Sequence, residues 1–228
     1  WQVRTHPRRV HIEILDETGT VDRLTYEDLD RGARAVAAGL QHRGVLPGET
    51  VVLMLPTGRD YFVSFFGALR AGAVPVPIYP PARLAELEDH LRRHTGILRN
   101  AQAAHLIAPP EALAVARLLR SRVETLRAID TAGELAATGG RLVAPEAQAD
   151  DLAFLQYTSG STGNPKGVML THANLLANIR AMGAAVAAGP QDVFVSWLPL
   201  YHDMGLIGAW LGMLAHSARL VVFSPLQF

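Results

Sequence analysis

The sequence predicts an α/β fold in which a layered, largely parallel sheet is flanked by helices. Short apolar runs bounded by turn residues, such as residues 50–55, alternate with amphipathic stretches, such as residues 24–40. Hydrophobic residues make up 49% of the 228 residues and charged residues only 18%, which is enough apolar surface for a sizeable core. Because the two patterns alternate from start to finish, we expect helices on both faces of the sheet.

The order of predicted elements is regular. Strands are predicted at residues 10–15, 50–55, 104–108, 126–130, 152–157, 193–198 and 219–223. Helices are predicted at residues 24–40, 59–71, 83–101, 111–120, 171–186 and 204–215. In residues 70–81 valine and proline alternate, which predicts a short strand that leaves the sheet, since proline cannot donate to a strand ladder. Residues 131–151 are rich in Ala, Gly and Pro and predict a connecting loop.

Two of these helices carry specific local signals. Thr25 is followed three residues later by Asp28, which is a capping-box arrangement at the start of a helix. The apolar face of that helix comprises Leu29, Ala33, Val36, Ala37 and Leu40. The helix at residues 59–71 has an aromatic face of Tyr61, Phe62, Phe65 and Phe66. Aromatic rings are mostly buried in proteins, so this face predicts core packing rather than a ligand site.

Charge and cysteine content exclude several classes of function. Lys plus Arg and Asp plus Glu each number 21, so no net field attracts nucleic acid or an anionic membrane. The absence of cysteine excludes disulfides, thiolate metal sites and a cysteine nucleophile, and it fits a reducing compartment. The longest apolar run, residues 205–215, is shorter than the ~20 residues that cross a bilayer, and no apolar stretch follows the first basic residues. We expect a cytoplasmic protein with no membrane span.

The densest chemical signal is the segment LQYTSGSTGNPKG at residues 155–167. Its glycines let backbone N–H groups turn inward around an anion, its hydroxyls add donors, and Lys166 adds positive charge, so we expect a triphosphate here. Apolar residues on both sides predict that the loop joins two strands. A Walker loop is disfavoured because Pro165 replaces its second glycine and Gly167 follows the lysine. An ordinary Ser/Thr/Gly-rich surface loop is the alternative.

A pair of histidines, His90 and His94, stands four residues apart on the helix predicted at residues 83–101. This spacing can hold a metal, but Leu91 occupies the place of a zinc hydrolase's glutamate and no third ligand is evident. We therefore expect a solvated basic face that also includes Arg92 and Arg93.

Several segments resemble signatures of the adenylate-forming superfamily, which includes acyl-CoA synthetases, luciferases and peptide-synthetase adenylation domains. YTSGSTGNPKG is similar to the phosphate-loop signature, and the Leu-Thr-Tyr run at residues 24–26 resembles the first signature. WLPLYHDMGLIG at residues 197–208 is similar to the segment that lies beside the carboxylate and the mouth of the acyl tunnel. PIYPP at residues 77–81, LPLYHDMG and SPLQF at residues 224–228 resemble the fatty-acyl-AMP ligase branch in particular.

This resemblance implies roles for individual residues. ATP, as the nucleotide cofactor, would be bound by Thr158, Ser159, Gly160, Ser161, Thr162, Gly163, Lys166 and Gly167. The acyl substrate would be bound by Trp197, His202, Asp203, Met204 and Gly205. Lys166 and His202 are the expected catalytic residues, and the hydroxyl of Thr158 is the expected ligand of Mg²⁺. From local pattern alone, His202 is a hydrogen-bonded loop histidine and Asp203 a helix cap, and both roles can hold together.

The implied reaction is ATP-dependent activation of a fatty acid to an acyl-adenylate, with release of pyrophosphate, for transfer to an acyl carrier protein or polyketide synthase module. Residues 1–228 would be the N-terminal portion of the large adenylation domain. The Tyr-Gly-x-x-Glu segment and the small C-terminal domain with its catalytic lysine are not found, so we expect the chain alone to be inactive. A fragment of an acyl-CoA ligase and a noncatalytic docking module of a polyketide or lipid assembly line are the alternatives.

Overall fold

Strands and helices alternate along the chain, and they form several sheets. The computed structural model describes residues 1–16, 18–81, 87–143, 145–158 and 165–224. Within these ranges the strands form two four-stranded sheets and one two-stranded sheet, with helices packed against them. The predicted α/β class is confirmed, although the strands are divided between sheets.

The elements follow one another in this order. The first part of the chain contains α1 (Gln2–Thr5), β1 (Val10–Leu15), β2 (Val21–Thr25), α2 (Tyr26–His42), β3 (Thr50–Met54), α3 (Arg59–Ala71) and β4 (Val74–Ile78). The middle part contains α4 (Leu87–Asn100), β5 (His105–Ile107), a 3-10 turn (Pro110–Ala112), α5 (Leu113–Arg120), β6 (Ala128–Asp130), α6 (Ala132–Thr138) and β7 (Leu152–Thr158). The last part contains β8 (Lys166–Thr171), α7 (His172–Ala185), β9 (Val193–Ser196), a π-helical segment (Met204–Leu211), α8 (Gly212–Ala215) and β10 (Arg219–Phe223).

Parallel pairing dominates the two larger sheets. One has the strand order β4-β3-β5-β6, and all of its strands are parallel. The other has the order β2-β1-β10-β9, in which only β2 runs antiparallel to its neighbour. Strands β7 and β8 form an antiparallel pair, so the segment between them joins strand to strand, as predicted.

Strand β4 corrects one prediction. It pairs with β3 along its whole length, from Val74 beside Thr50 to Ile78 beside Met54, and all five of its residues are buried. The prediction that this strand leaves the sheet is wrong. Its position at the end of the strand order explains why Pro75 and Pro77 are tolerated, because an edge strand needs only one ladder of hydrogen bonds.

An aromatic cluster forms the centre of the larger core. Trp210 lies with its ring centroid 4.7 Å from that of Phe62 and 5.5 Å from that of Phe65, both in edge-on geometry. Tyr61 and Phe66 contact the same indole at 6.3 and 5.2 Å. Full burial of one such side chain stabilises a fold by roughly 1.5–3 kcal/mol. The aromatic face of α3 therefore packs in the core, as predicted.

Three capping boxes begin helices in the described part of the chain, and that of α7 pairs Thr171 with Asn174. At the start of α2, Asp28 N donates to Thr25 Oγ1 at 3.1 Å and Thr25 N donates to Asp28 Oδ2 at 3.0 Å, which confirms the predicted box. Thr131 and Glu134 repeat the arrangement at the start of α6. Residues 131–151 were predicted to be only a connecting loop, and that prediction is wrong for α6, whose Leu135 is fully buried.

None of the described helices combines the length and the apolar character needed to cross a bilayer.

Candidate active site

A cavity of about 420 Å³ lies where β4 and β7 end and the chain turns after β9. Tyr79 lines it from the end of β4, Thr158 from the end of β7, and His202 and Asp203 from the segment after β9. Ligands of parallel sheets bind beyond the carboxyl ends of strands, which is where this cavity lies. The first residue of the predicted phosphate loop and two predicted substrate-binding residues therefore share one cavity.

Two buried side chains hold the segment after β9 in place. Gln156, on β7, donates from Nε2 to the carbonyl oxygen of Tyr201 at 2.6 Å. Tyr61, on α3, donates from its hydroxyl to the carbonyl oxygen of Leu200 at 2.6 Å. These bonds tie the segment both to the strand that leads into the phosphate loop and to the aromatic core, so the relative position of the cavity walls is fixed.

The turn at Asp203 and Gly205 is determined by backbone contacts. Asp203 Oδ1 accepts from Met204 N at 2.8 Å, which confirms the predicted helix cap. Gly205 is buried, and a Cβ built on it would lie 2.3 Å from the carbonyl oxygen of Pro199. The glycine is required by this close approach of the chain to itself. Binding of substrate by these residues stays a prediction.

The phosphate loop is described only at its two ends. Ser159, Gly160, Ser161, Thr162 and Gly163 lie outside the described residues. Thr158 and Lys166 face each other in the antiparallel register of β7 and β8, and both are exposed. A Cβ at Gly167 would lie 2.9 Å from Tyr157 Cζ, so that glycine lets the tyrosine ring pack across the hairpin. The hairpin thus brings both ends of the loop together beside the cavity.

Tyr79, His94 and Tyr201 line one side of the cavity, and His90, which is not a lining residue, packs against His94. The rings of His90 and His94 stack with centroids 3.9 Å apart, and Tyr79 meets His94 edge-on at 4.5 Å and Tyr201 at 5.6 Å. Only 5% of His90 and none of His94 is exposed. The expected solvated basic face is therefore wrong for these two histidines. In the described ranges no group of three or more metal-ligating side chains occurs, so nothing there adds a third ligand to the pair.

The imidazoles of His90 and His94 carry no charge at neutral pH. Burial lowers the pKa of His90 to about 4, and burial together with the neighbouring His90 lowers the pKa of His94 to about 3. His94 Nδ1 lies 2.7 Å from the carbonyl oxygen of His90, so this nitrogen carries the proton and donates it. Burial, with a smaller contribution from Tyr79, also raises the pKa of Tyr201. These side chains are neutral at pH 7.

A second cavity, of about 460 Å³, lies between α7 and the π-helical segment. Its lining is mostly apolar and includes Met182, Phe194, Met204 and Ile207. Asp203 borders this apolar cavity as well as the polar one. Trp197 follows β9 and is about half exposed. A polar compartment and an apolar compartment therefore meet at the turn that contains Asp203.

Several cavity residues are absent from the sequence-based site. They are Tyr79, Arg93, His94, Gln156 and Tyr201. Gln156 carried a detectable signal, since it is an amide inside an otherwise apolar strand that ends at the loop. Tyr201 lies inside the predicted segment at residues 197–208, whereas Tyr79, Arg93 and His94 come from a strand end and a helix whose tertiary contacts no local pattern reports.

Comparison with known proteins agrees with this geometry. The family model of AMP-binding enzymes matches residues 1–228. The chain belongs to the AMP-binding enzyme family. Among curated relatives of this AMP-binding chain is the medium-chain-fatty-acid–[acyl-carrier-protein] ligase JamA of Moorena producens, 32% identical over 100% of this chain and 39% of JamA. The long-chain-fatty-acid–AMP ligase FadD32 of Mycolicibacterium smegmatis is 38% identical over 85% of this chain and 31% of its own length. The chain thus spans less than two fifths of these relatives.

Solved structures of adenylate-forming enzymes share the fold. The fatty acyl-adenylate ligase of Legionella pneumophila, in complex with acyl adenylate and pyrophosphate, aligns with a TM-score of 0.87 and 31% identity over 100% of this chain and 39% of its own. ATP-bound MatB of Rhodopseudomonas palustris aligns with a TM-score of 0.79 and 26% identity over 96% of this chain and 44% of its own. The resemblance to fatty-acyl-AMP ligases inferred from sequence motifs is confirmed.

Proposed function

We propose that the full-length protein containing this chain activates a fatty acid with ATP to an acyl-adenylate and releases pyrophosphate. The observation that carries this proposal is the cavity shared by Thr158, at the start of the phosphate loop, and by His202 and Asp203. On this proposal residues 1–228 are the N-terminal portion of the adenylation domain. The printed activities of JamA and FadD32 and the acyl adenylate in the Legionella structure support it. The need for ATP and the lack of cysteine favour a cytoplasmic reaction.

The reaction requires two anions to approach each other. A carboxylate oxygen of the acid forms a bond to the α-phosphorus of ATP, and the bond from that phosphorus to the oxygen of pyrophosphate breaks. Positioning and charge neutralisation supply most of the catalysis in such transfers. Lys166 and the N–H and hydroxyl groups of the loop that begins at Thr158 hold the β- and γ-phosphates and stabilise the leaving pyrophosphate.

The segment after β9 positions the acid. His202 donates a hydrogen bond to the substrate carboxylate, and Asp203 and Gly205 set the turn that presents it. The acyl chain extends into the apolar cavity beside Met204, with Trp197 at the exit of β9. Apolar lining and a border shared with the polar cavity at Asp203 support this assignment. Burial of the chain excludes water from the adenylate.

Magnesium fits this site as an ion shared with the nucleotide. Thr158 contributes a hydroxyl and Asp203 a carboxylate to the same cavity, and both are oxygen donors of the type that Mg²⁺ accepts. Bound there, Mg²⁺ would neutralise phosphate charge. We assign Thr158 as its protein ligand.

We further propose that the acyl group passes to an acyl carrier protein, such as one of a polyketide synthase module. The printed activity of JamA supports this acceptor. Coenzyme A is the second candidate, because FadD21 of Mycobacterium tuberculosis, 33% identical over 93% of this chain, carries the name of a putative fatty-acid–CoA ligase. Incubating the full-length protein with ATP, a fatty acid and either acceptor distinguishes them: acyl transfer to the carrier protein alone supports the proposal, and acyl-CoA formation contradicts it.

Fatty-acid-dependent exchange of labelled pyrophosphate into ATP tests the adenylation step. The full-length protein is assayed with fatty acids of 6 to 18 carbons, as wild type and as the double variant Lys166→Ala with Thr162→Ala. We expect exchange in the wild type and a loss of about 10²-fold or more in the double variant, because loop donors are removed from the leaving group. Absence of exchange with every acid would refute the proposed function and favour a noncatalytic docking module.

A further inference from the structure

Arg93 lies on α4 and lines the polar cavity together with Thr158 and His202. Among the described residues that line this cavity it is the only lysine or arginine. Lys166, the cation predicted from the loop, is not one of these lining residues. The fixed positive charge of the cavity wall, as far as the structure describes it, therefore comes from a residue outside the phosphate loop.

The guanidinium of Arg93 has no counter-charge in the described parts of the chain. No described carboxylate lies within 4.0 Å of it, and its buried Nε has no hydrogen-bond partner there. Arg92, its neighbour, behaves differently: it pairs with Asp89 at 2.7 Å and its side chain is 79% exposed. Partial burial of a guanidinium without a partner is unfavourable, so the position is better explained by an anion that occupies the cavity.

The two buried histidines beside Arg93 do not supply positive charge to the cavity. His90 and His94 are neutral at pH 7, because burial lowers the pKa of each far below 7. Asp203, the acidic residue of the cavity, already accepts a hydrogen bond from Met204 N. The Nε of Arg93 and the imidazole of His94 are buried, and a charge-assisted hydrogen bond is stronger in a buried position than in water.

We propose that Arg93 binds an oxyanion of the reactants, a phosphate or carboxylate oxygen, in the cavity between Thr158 and His202. The inference rests on the proposed function, which brings both kinds of oxyanion to this cavity. The planar guanidinium binds two oxygens of either group through parallel N–H donors. Arg93 is thus a substrate-binding residue contributed by α4, and it adds to the positive charge of Lys166.

Pyrophosphate exchange by the full-length protein tests this role with a matched pair of variants. Arg93→Gln removes the charge inside the cavity, Arg92→Gln removes a charge of the same helix outside it, and Arg93→Lys restores a charge without the planar fork. We expect Arg93→Gln to raise KM for one reactant about tenfold or more, the loss of a charged hydrogen bond. Arg93→Lys should recover part of this loss, and Arg92→Gln should stay within about twofold of wild type. Circular dichroism confirms that the variants are folded.

The reactant whose KM rises shows whether Arg93 binds a phosphate or a carboxylate. A rise in KM for ATP assigns a phosphate, and a rise in KM for the fatty acid assigns the carboxylate. Equal KM values in Arg93→Gln and Arg92→Gln overturn the inference while leaving the proposed function intact. If the wild type shows no exchange, calorimetric binding of inorganic pyrophosphate and of octanoate still decides: binding lost only in Arg93→Gln supports the oxyanion site, and unchanged or absent binding refutes it.

Discussion

Helices α3 and α4 both pack in core clusters that include residues of the β4-β3-β5-β6 sheet, but they bury different kinds of side chain. Helix α3 buries aromatic rings, and the hydroxyl of its Tyr61 is bonded to the carbonyl oxygen of Leu200. Helix α4 buries His90 and His94, and three of their four ring nitrogens have no partner among the described residues. The first helix packs in the hydrophobic core, whereas the second buries Leu91, Ile97 and Leu98 in a core cluster and also lines the cavity.

The difference in buried side chains suggests different roles for the two helices. Burying a polar group without a hydrogen bond costs about 1–3 kcal/mol, so a sequence selected only for stability would avoid the arrangement of α4. Such groups concentrate where a ligand is bound or chemistry occurs. We infer that α3 mainly maintains the scaffold, whereas α4 both packs in the core and shapes one wall of the candidate active site.

The largest expected effect is a loss of stability when an aromatic ring of α3 is removed from the core. Phe65→Ala removes a fully buried ring that contacts Trp210 and Phe154 at centroid distances of 5.5 and 5.8 Å. We expect the free energy of unfolding to fall by about 3–5 kcal/mol, because a cavity remains. Urea denaturation measures it. The exposed Leu118→Ala is the control, with an expected change within about 0.5 kcal/mol. A loss below about 1 kcal/mol for Phe65→Ala would show that α3 is not central to the core.

Acidification is expected to lower the stability of the protein through the buried histidines of α4. The pKa of His90 and His94 is lowered to about 4 and about 3 by burial, against 6.5 in the unfolded chain. Below pH 6.5 the unfolded state therefore takes up protons that the folded state refuses, so stability falls as the pH drops towards 4. His11, lowered to about 4, adds to this effect. Thermal unfolding between pH 7.5 and 4.5 should show a declining Tm, and a flat profile would contradict the buried neutral imidazoles.

A smaller loss of stability is expected when Tyr61 of α3 loses its hydrogen bond to the segment after β9. Tyr61→Phe keeps the ring in the core but leaves the carbonyl oxygen of Leu200 without this donor. We expect a decrease of about 1 kcal/mol in the free energy of unfolding, measured by urea denaturation. Tyr157→Phe is the control, because its hydroxyl bonds to Asn100 near the surface and its removal should change stability less. Equal losses in the two variants would argue against a special role for the buried bond.

The smallest effect is expected on α4 itself. His90→Leu replaces a buried imidazole, both of whose nitrogens lack described partners, by an apolar side chain. We expect the free energy of unfolding to stay within about 1 kcal/mol of wild type or to rise, since an unfavourable burial is removed. The Tm should also depend less on pH. A clear destabilisation by His90→Leu would mean that these nitrogens have partners in the folded protein.

Much of the fold could be predicted because its signals are local. Helix α3 and strand β10 occur at the predicted residues, and α2 begins at the predicted cap Thr25. Helix α6 was missed, although Thr131 and Glu134 form a capping box, because its short Ala-rich run has no clear period. Strand β2 was missed because only one of its five residues is buried, so it lacks the apolar pattern of a core strand. The division into separate sheets depends on long-range pairing that no short pattern reports.

The candidate site was predictable only in part. Thr158, His202 and Asp203 belong to segments with distinctive composition, and the structure brings them to one cavity. The burial of His94 could not be read from its sequence, since imidazole suits both solvent and a packed interior. The place of Arg93 was equally hidden, because a charged residue on a helix is usually solvated. The tertiary contacts of α4, such as that of His94 with Tyr79, determine both positions.

The most direct test of the central claim is the rate of fatty-acid-dependent pyrophosphate exchange in His202→Ala, compared with His42→Ala, in the full-length protein. His202 lines the proposed site, whereas His42 is an exposed residue at the end of α2. The account predicts that His202→Ala loses about 10²-fold in rate at unchanged stability, while His42→Ala keeps the wild-type rate. Wild-type exchange by His202→Ala would contradict the assignment of this cavity as the adenylation site.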